Sequence, residues 1–93
     1  MTFAVVSLHS PKPEYRMAVL DSMQRYSSVA REQLGLEWTG VVDDASGRLI
    51  GIALWKSEEF AAAARPALTA EVGLDPFTTW DERPIDGFRG EVR

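Results

Sequence analysis

One histidine, three tryptophans and no cysteine bound the chemistry open to this 93-residue chain. His9 is the only side chain whose ordinary pKa lies near neutrality, which makes it the candidate catalytic residue, a general base. An exposed strand-end histidine with no chemical task is the plainer alternative. Ser7 stands two residues earlier and shares its face in any extended segment, because side chains alternate along a strand. In the run LIGIALW the same alternation groups Leu49, Gly51, Ala53 and Trp55. Trp55 offers a flat wall on which a ring can stack, or else fills a core or an interface. Gly51 and Ala53 leave room beside it for a planar ligand or a partner's side chain. Trp38, on one face with Leu36, Gly40 and Val42, has the same two roles open to it. Ser7, Gly51, Trp38 and Trp55 are therefore the candidate substrate contacts.

Much else is excluded. Without cysteine there is no disulfide, thiolate nucleophile or thiolate-held metal, and one histidine makes a metal site unusual, so no metal is expected. No Gly-x-Gly-x-x-Gly, phosphate-binding loop or Gly-x-Ser-x-Gly elbow occurs. Adjacent carboxylates at Asp43 and Asp44, Glu58 and Glu59, and Asp81 and Glu82 fall at expected turns and caps, where a solvated structural role is the ordinary one. Arg65 and Arg83 could hold an anionic substrate group, although a solvated charge is the commoner fate of such arginines. The net charge is −4 with signs interspersed. Lys12 and Lys56 are the only lysines, too few for a phosphate-binding surface, so no nucleic acid is expected. The N-terminus lacks a signal-peptide pattern and no run reaches membrane-spanning length, which points to a cytoplasmic protein without a membrane partner.

The elements that must position these residues follow from punctuation and period. Thr2 to His9 is β-branched and aromatic and ends at SPKPE, the mark of a first strand. Pro13 suits a helix start and Gly35 the residue beyond a helix end. Between them Val19, Leu20, Met23, Tyr26, Ala30 and Leu34 form one stripe. LEWTGVVDD and RLIGIALW read as an antiparallel pair joined through Gly47, which can take the positive φ of a hairpin turn. Ser57 is a good N-cap, with Glu58 and Glu59 in the first turn where the helix dipole favours them. Pro66 is expected to bend or restart that second helix. A fourth strand is expected over Ile85 to Val92, with a short strand at Thr78 to Trp80 as the alternative.

The resulting order, strand-helix-strand-strand-helix-strand, predicts a single α+β domain over 1-93, a ferredoxin-like βαββαβ unit with both helices on one face of an antiparallel sheet. Ala4, Val6, Leu8, Ile50, Ile52 and Leu54 are expected beneath the helices. Phe3, Val5, Leu49 and Trp55 would then lie on the open face and favour a second copy.

The segment ALWKSEEFAAA, the glycine-led LGLEWTGVVDD and the element order over nearly the whole chain resemble the antibiotic-biosynthesis-monooxygenase family of dimeric α/β barrels. The resemblance implies a homodimer of paired open sheets, a pocket between sheet and helices in each subunit, and in some members oxidation of electron-rich aromatics without metal or flavin. Trp55 matches the tryptophan that lines the pocket in such members. The chain departs from the pattern where it has no asparagine, Gly51 standing at one position that some relatives fill with one. It also lacks the tryptophan and histidine of the haem-degrading members, with Ala64 near the tryptophan's place. The resemblance thus implies a cofactor-independent monooxygenase-like protein with no cofactor, acting on a small aromatic ligand of the quinol or anthrone type. A non-catalytic ligand-binding or interaction module on the same barrel is the alternative.

Overall fold

The computed structural model describes residues 1–93. Its strands are β1 (Phe3–His9), β2 (Leu36–Asp43), β3 (Leu49–Trp55) and β4 (Asp86–Glu91); its helices are α1 (Arg16–Arg31), α2 (Glu58–Val72) and the single turn α3 (Phe77–Trp80). The strand order β2-β3-β1-β4 is antiparallel throughout. This is the ferredoxin-like arrangement expected, with the fourth strand where Pro84 suggested it. The sheet does not close within one chain. Thr78 to Trp80, the alternative strand, lies in α3 instead.

Local chemistry accounts for the element ends. Pro13 opens a short 3-10 turn that leads into α1. Gly35 and Gly47 are the two residues with positive φ, at 85° and 94°, one past the first helix and one in the β2–β3 hairpin. The Ser57 side chain accepts the Phe60 N–H and caps α2. α2 runs through Pro66 without restarting. Both Pro66 and Ala62, whose carbonyl loses its donor, are exposed, so water can satisfy that oxygen.

The sheet faces are the reverse of those expected. Phe3, Leu49, Ala53 and Trp55 are buried, Trp55 completely, and pack against Ala30, Ala61, Ala64 and Leu68 of the helices or against Val19 and Met23. Ala4, Val6, Leu8, Ile50, Ile52 and Leu54 lie on the other face, with Trp38, Val42 and Phe88, which stay 51%, 43% and 64% exposed. Alternation states which residues share a face, but the hand of the crossovers joining parallel strands β1 to β2 and β3 to β4 decides which face the helices cover.

The helix-side core falls into two clusters. One surrounds Trp55 and Phe3; the other joins Val19, Met23 and Leu49. Between them the sheet carries Ser7 paired with Gly51, too little side-chain volume to fill the space.

Candidate functional site

The gap between the clusters is a cavity of about 260 Å³, larger than the roughly 150 Å³ of an engineered apolar cavity that admits benzene. Ser7, His9 and Gly51 meet there, on two adjacent strands and one face. α1 supplies Ser22, Met23, Tyr26 and Ser27, β2 supplies Thr39 and Val41, and Phe77 of α3 adds an aromatic wall.

Gly51 opens the floor. A Cβ at this position would stand 2.8 Å from Ser7 Oγ and 3.1 Å from the Met23 methyl. Ser7 Oγ makes no hydrogen bond within the chain and is not sealed from the cavity. The other hydroxyls are engaged. Thr39 Oγ1 donates to the Ile52 carbonyl at 3.0 Å, so in its 3.2 Å contact with Ser27 the serine donates. Ser22 donates to Asp75 at 2.6 Å.

His9 is not an exposed strand-end residue. It is 5% exposed, and its Nδ1 lies 3.1 Å from Oδ2 of Asp81, also 5% exposed. An ionised carboxylate only accepts, so with Asp81 ionised Nδ1 is the donor, and in the neutral ring Nε2 then carries the lone pair. Nε2 has no partner in the chain. The sealed, unpartnered polar side-chain atoms are Trp55 Nε1 and Asp81 Oδ1, which leaves Nε2 in reach of the cavity that His9 lines. Phe77 packs beside the imidazole with ring centres 5.2 Å apart and in turn meets Trp80 edge-on at 5.6 Å.

Asp81 is placed by backbone pairing. Lys12 N–H donates to the Trp80 carbonyl and Glu82 N–H to the Ser10 carbonyl, each at 2.8 Å, tying the chain after α3 to the end of β1. The solvated role expected for Asp81 is therefore corrected: strand pairing carries it inward. Its sequence neighbours gave no signal, since its partner lies 72 residues away.

Two tryptophans depart from the expected site. Trp38 sits on the open face opposite Leu54 and is not among the cavity's lining residues, because an extra residue at Glu37 shifts the β2 register between Leu36 and Trp38. Leu36, opposite Trp55, joins the helix-side core, so it and Trp38 do not share the face strict alternation gave them. Trp55 faces the helices with Gly51 but is a core side chain. It is absent from the His9 cavity and lines an adjoining one of about 250 Å³, which shares Val5, Tyr26, Val72 and Phe77 with the first.

Burial pushes the Tyr26 hydroxyl above its ordinary pKa, while the positive charges of Arg89 and Arg65 act in the opposite sense. At the cavity rim, the hydrogen bond from Ser22 and then the Arg25 guanidinium hold the Asp75 carboxyl below its usual range. No three His, Cys, Asp or Glu side chains converge to hold a metal ion, and no helix is long and apolar enough to cross a membrane.

No protein-family model and no curated protein matches the sequence. Solved structures do match its fold. A Nitrosomonas europaea protein provisionally assigned as an antibiotic biosynthesis monooxygenase superposes with a TM-score of 0.82 at 16% identity over 97% of each chain. A Mycobacterium tuberculosis protein gives 0.81 at 18% identity, over 100% of this chain and 96% of that one. A conserved protein of Methanosarcina mazei gives 0.86 at 14% identity, over 100% of this chain and 94% of that one. Another match, described simply as antibiotic biosynthesis monooxygenase, gives 0.71 at 14% identity over 98% of each chain. Across nearly its whole length the chain therefore has the fold of the antibiotic-biosynthesis-monooxygenase proteins.

Proposed function

We propose that this chain is a cofactor-independent monooxygenase-like enzyme acting on a small aromatic hydroxy compound of the quinol or anthrone class. The observation that carries it is the buried His9–Asp81 pair on the wall of a largely apolar cavity. A proton passes from the substrate's hydroxyl or activated C–H to His9 Nε2, leaving an electron-rich anion, and Asp81 stabilises the imidazolium that forms. Dissolved oxygen is the oxidant. For an anthrone, one CH₂ and one O₂ become one C=O and one water. The cavity supplies orientation and excludes water from the anion. Ser7 Oγ, free of partners, donates to the substrate oxygen, and the missing Cβ of Gly51 admits the ring. Trp55 supports the wall from behind.

The test is oxygen uptake by metal-free protein given hydroquinone and anthrone substrates, with and without His9→Gln. A rate above blank that the variant loses is expected; no rate, or one unchanged in the variant, refutes the proposal. The lack of any asparagine, with Gly51 in a place some relatives fill with one, favours a second use of the same cavity, binding without turnover. Ligand binding with no oxygen uptake would select it.

The functional unit in this proposal is a homodimer. Ile50, Ile52, Leu54, Val6, Trp38 and Phe88 give the open face an apolar surface spanning all four strands, which a second copy would cover. Sedimentation should give twice the 10.3 kDa chain mass, and Ile52→Lys should give the chain mass alone. A monomeric wild type at micromolar concentration would exclude the dimer.

A further inference from the structure

The second cavity has a charge pattern the proposed chemistry does not use. Arg65 of α2 and Arg89 of β4 both line it, and no acidic side chain does. The chain carries a net charge of −4, and its ion pairs engage His9, Arg16, Arg25, Arg48 and Arg93, but neither of these two arginines. Arg89 lies over the Phe3 ring, 5.5 Å from its centre, a contact that leaves its donors free. Tyr26 lines the same cavity, and both cations oppose the burial that raises its hydroxyl's pKa. Leu68 and Trp55 supply apolar wall.

Two unpaired guanidinium groups beside an apolar cleft suit an oxyanion attached to a ring, because a carboxylate accepts from such donors in a fixed geometry. The cleft meets the His9 cavity along Val5, Tyr26, Val72 and Phe77. We infer that the two form one site for a hydroxylated aromatic carboxylate, with its hydroxyl toward His9 and its carboxylate between Arg65 and Arg89. This inference rests on the proposed use of the His9 cavity and adds the charge of the ligand. It makes the arginines selectors between acidic and neutral aromatics.

The experiment titrates the protein at pH 7 with 6-hydroxy-2-naphthoate and with 2-naphthol, which present the same ring and hydroxyl with and without the opposed carboxylate. Calorimetry reads both, using wild type and the Arg65→Gln/Arg89→Gln double variant, whose fold is checked by circular dichroism. The naphthoate should bind about tenfold or more tightly than the naphthol, the scale of charge-assisted hydrogen bonds. The double variant should lose that advantage and keep the naphthol affinity. Equal affinities in wild type, an equal loss for both ligands in the variant, or no binding of the naphthoate would overturn the inference. Because binding is read without turnover, selective binding with no oxygen uptake would leave this inference standing and remove the oxygenase proposal. Oxidation of neutral quinols with no preference for the acid would do the reverse.

Discussion

Asp81→Ala separates the buried pair at the centre of the site, and its consequences can be worked from the geometry. The change removes the acceptor 3.1 Å from His9 Nδ1 but leaves the backbone ties at Trp80 and Glu82, so the segment stays in place. Stranding a buried N–H costs about 1–3 kcal/mol. Asp81 Oδ1 is itself buried without a partner, so losing the carboxylate also relieves a penalty and holds the net cost toward the lower end. In a domain this small each kcal/mol moves the thermal midpoint by about 4–8 °C. Asp81→Asn keeps an oxygen acceptor of nearly the same shape and should change stability by less than about 1 kcal/mol. The decisive assay is the imidazole tautomer by ¹⁵N long-range correlation, recorded above the pH at which the ring titrates. With one histidine in the chain the spectrum needs no assignment. The wild type should hold its proton on Nδ1, and Asp81→Ala should release it toward Nε2. A wild type protonated on Nε2, or an Ala variant with neither tautomer nor midpoint changed, would refute the argument that Asp81 orients a basic Nε2.

Gly51→Ala should fold with stability within about 1 kcal/mol of wild type, because its Cβ meets only the mobile ends of Ser7 and Met23. It should weaken naphthol binding by about tenfold or more, the scale of one misplaced methyl group in an apolar pocket; unchanged affinity would show that the floor at Gly51 is not where the ring sits. Asp75→Asn should lower stability at pH 7 by urea denaturation, and the difference from wild type should shrink as pH falls below about 4. The Asp75 pKa is depressed by Ser22 and Arg25, so its contribution is complete above the unfolded value of about 4 and is lost as pH falls through the lower folded value. A difference that stays constant or grows as pH is lowered below about 4 would contradict that linkage.

The sequence alone determined the order of the four strands and two long helices and most of their ends, because these depend on neighbours; the single turn α3 was not among them. Gly35 and Gly47 take the positive φ their turns need, Ser57 caps its helix, and Pro84 stands just before the fourth strand. It also determined that Ser7 shares a face with His9, and Gly51 with Trp55, since strand alternation is a local rule. Only the tertiary structure decided the rest. Crossover hand put the helices over Phe3, His9 and Trp55 rather than over Ile50, Ile52 and Leu54. An extra residue at Glu37 sent Trp38 to the open face and Leu36 to the core. Backbone pairing after α3 brought Asp81 to His9 across 72 residues, and β4 brought Arg89 to the cavity lined by Arg65. Hydropathy and period carry no information about such distant pairings, so the lone histidine was visible in the sequence and the carboxylate that orients it was not.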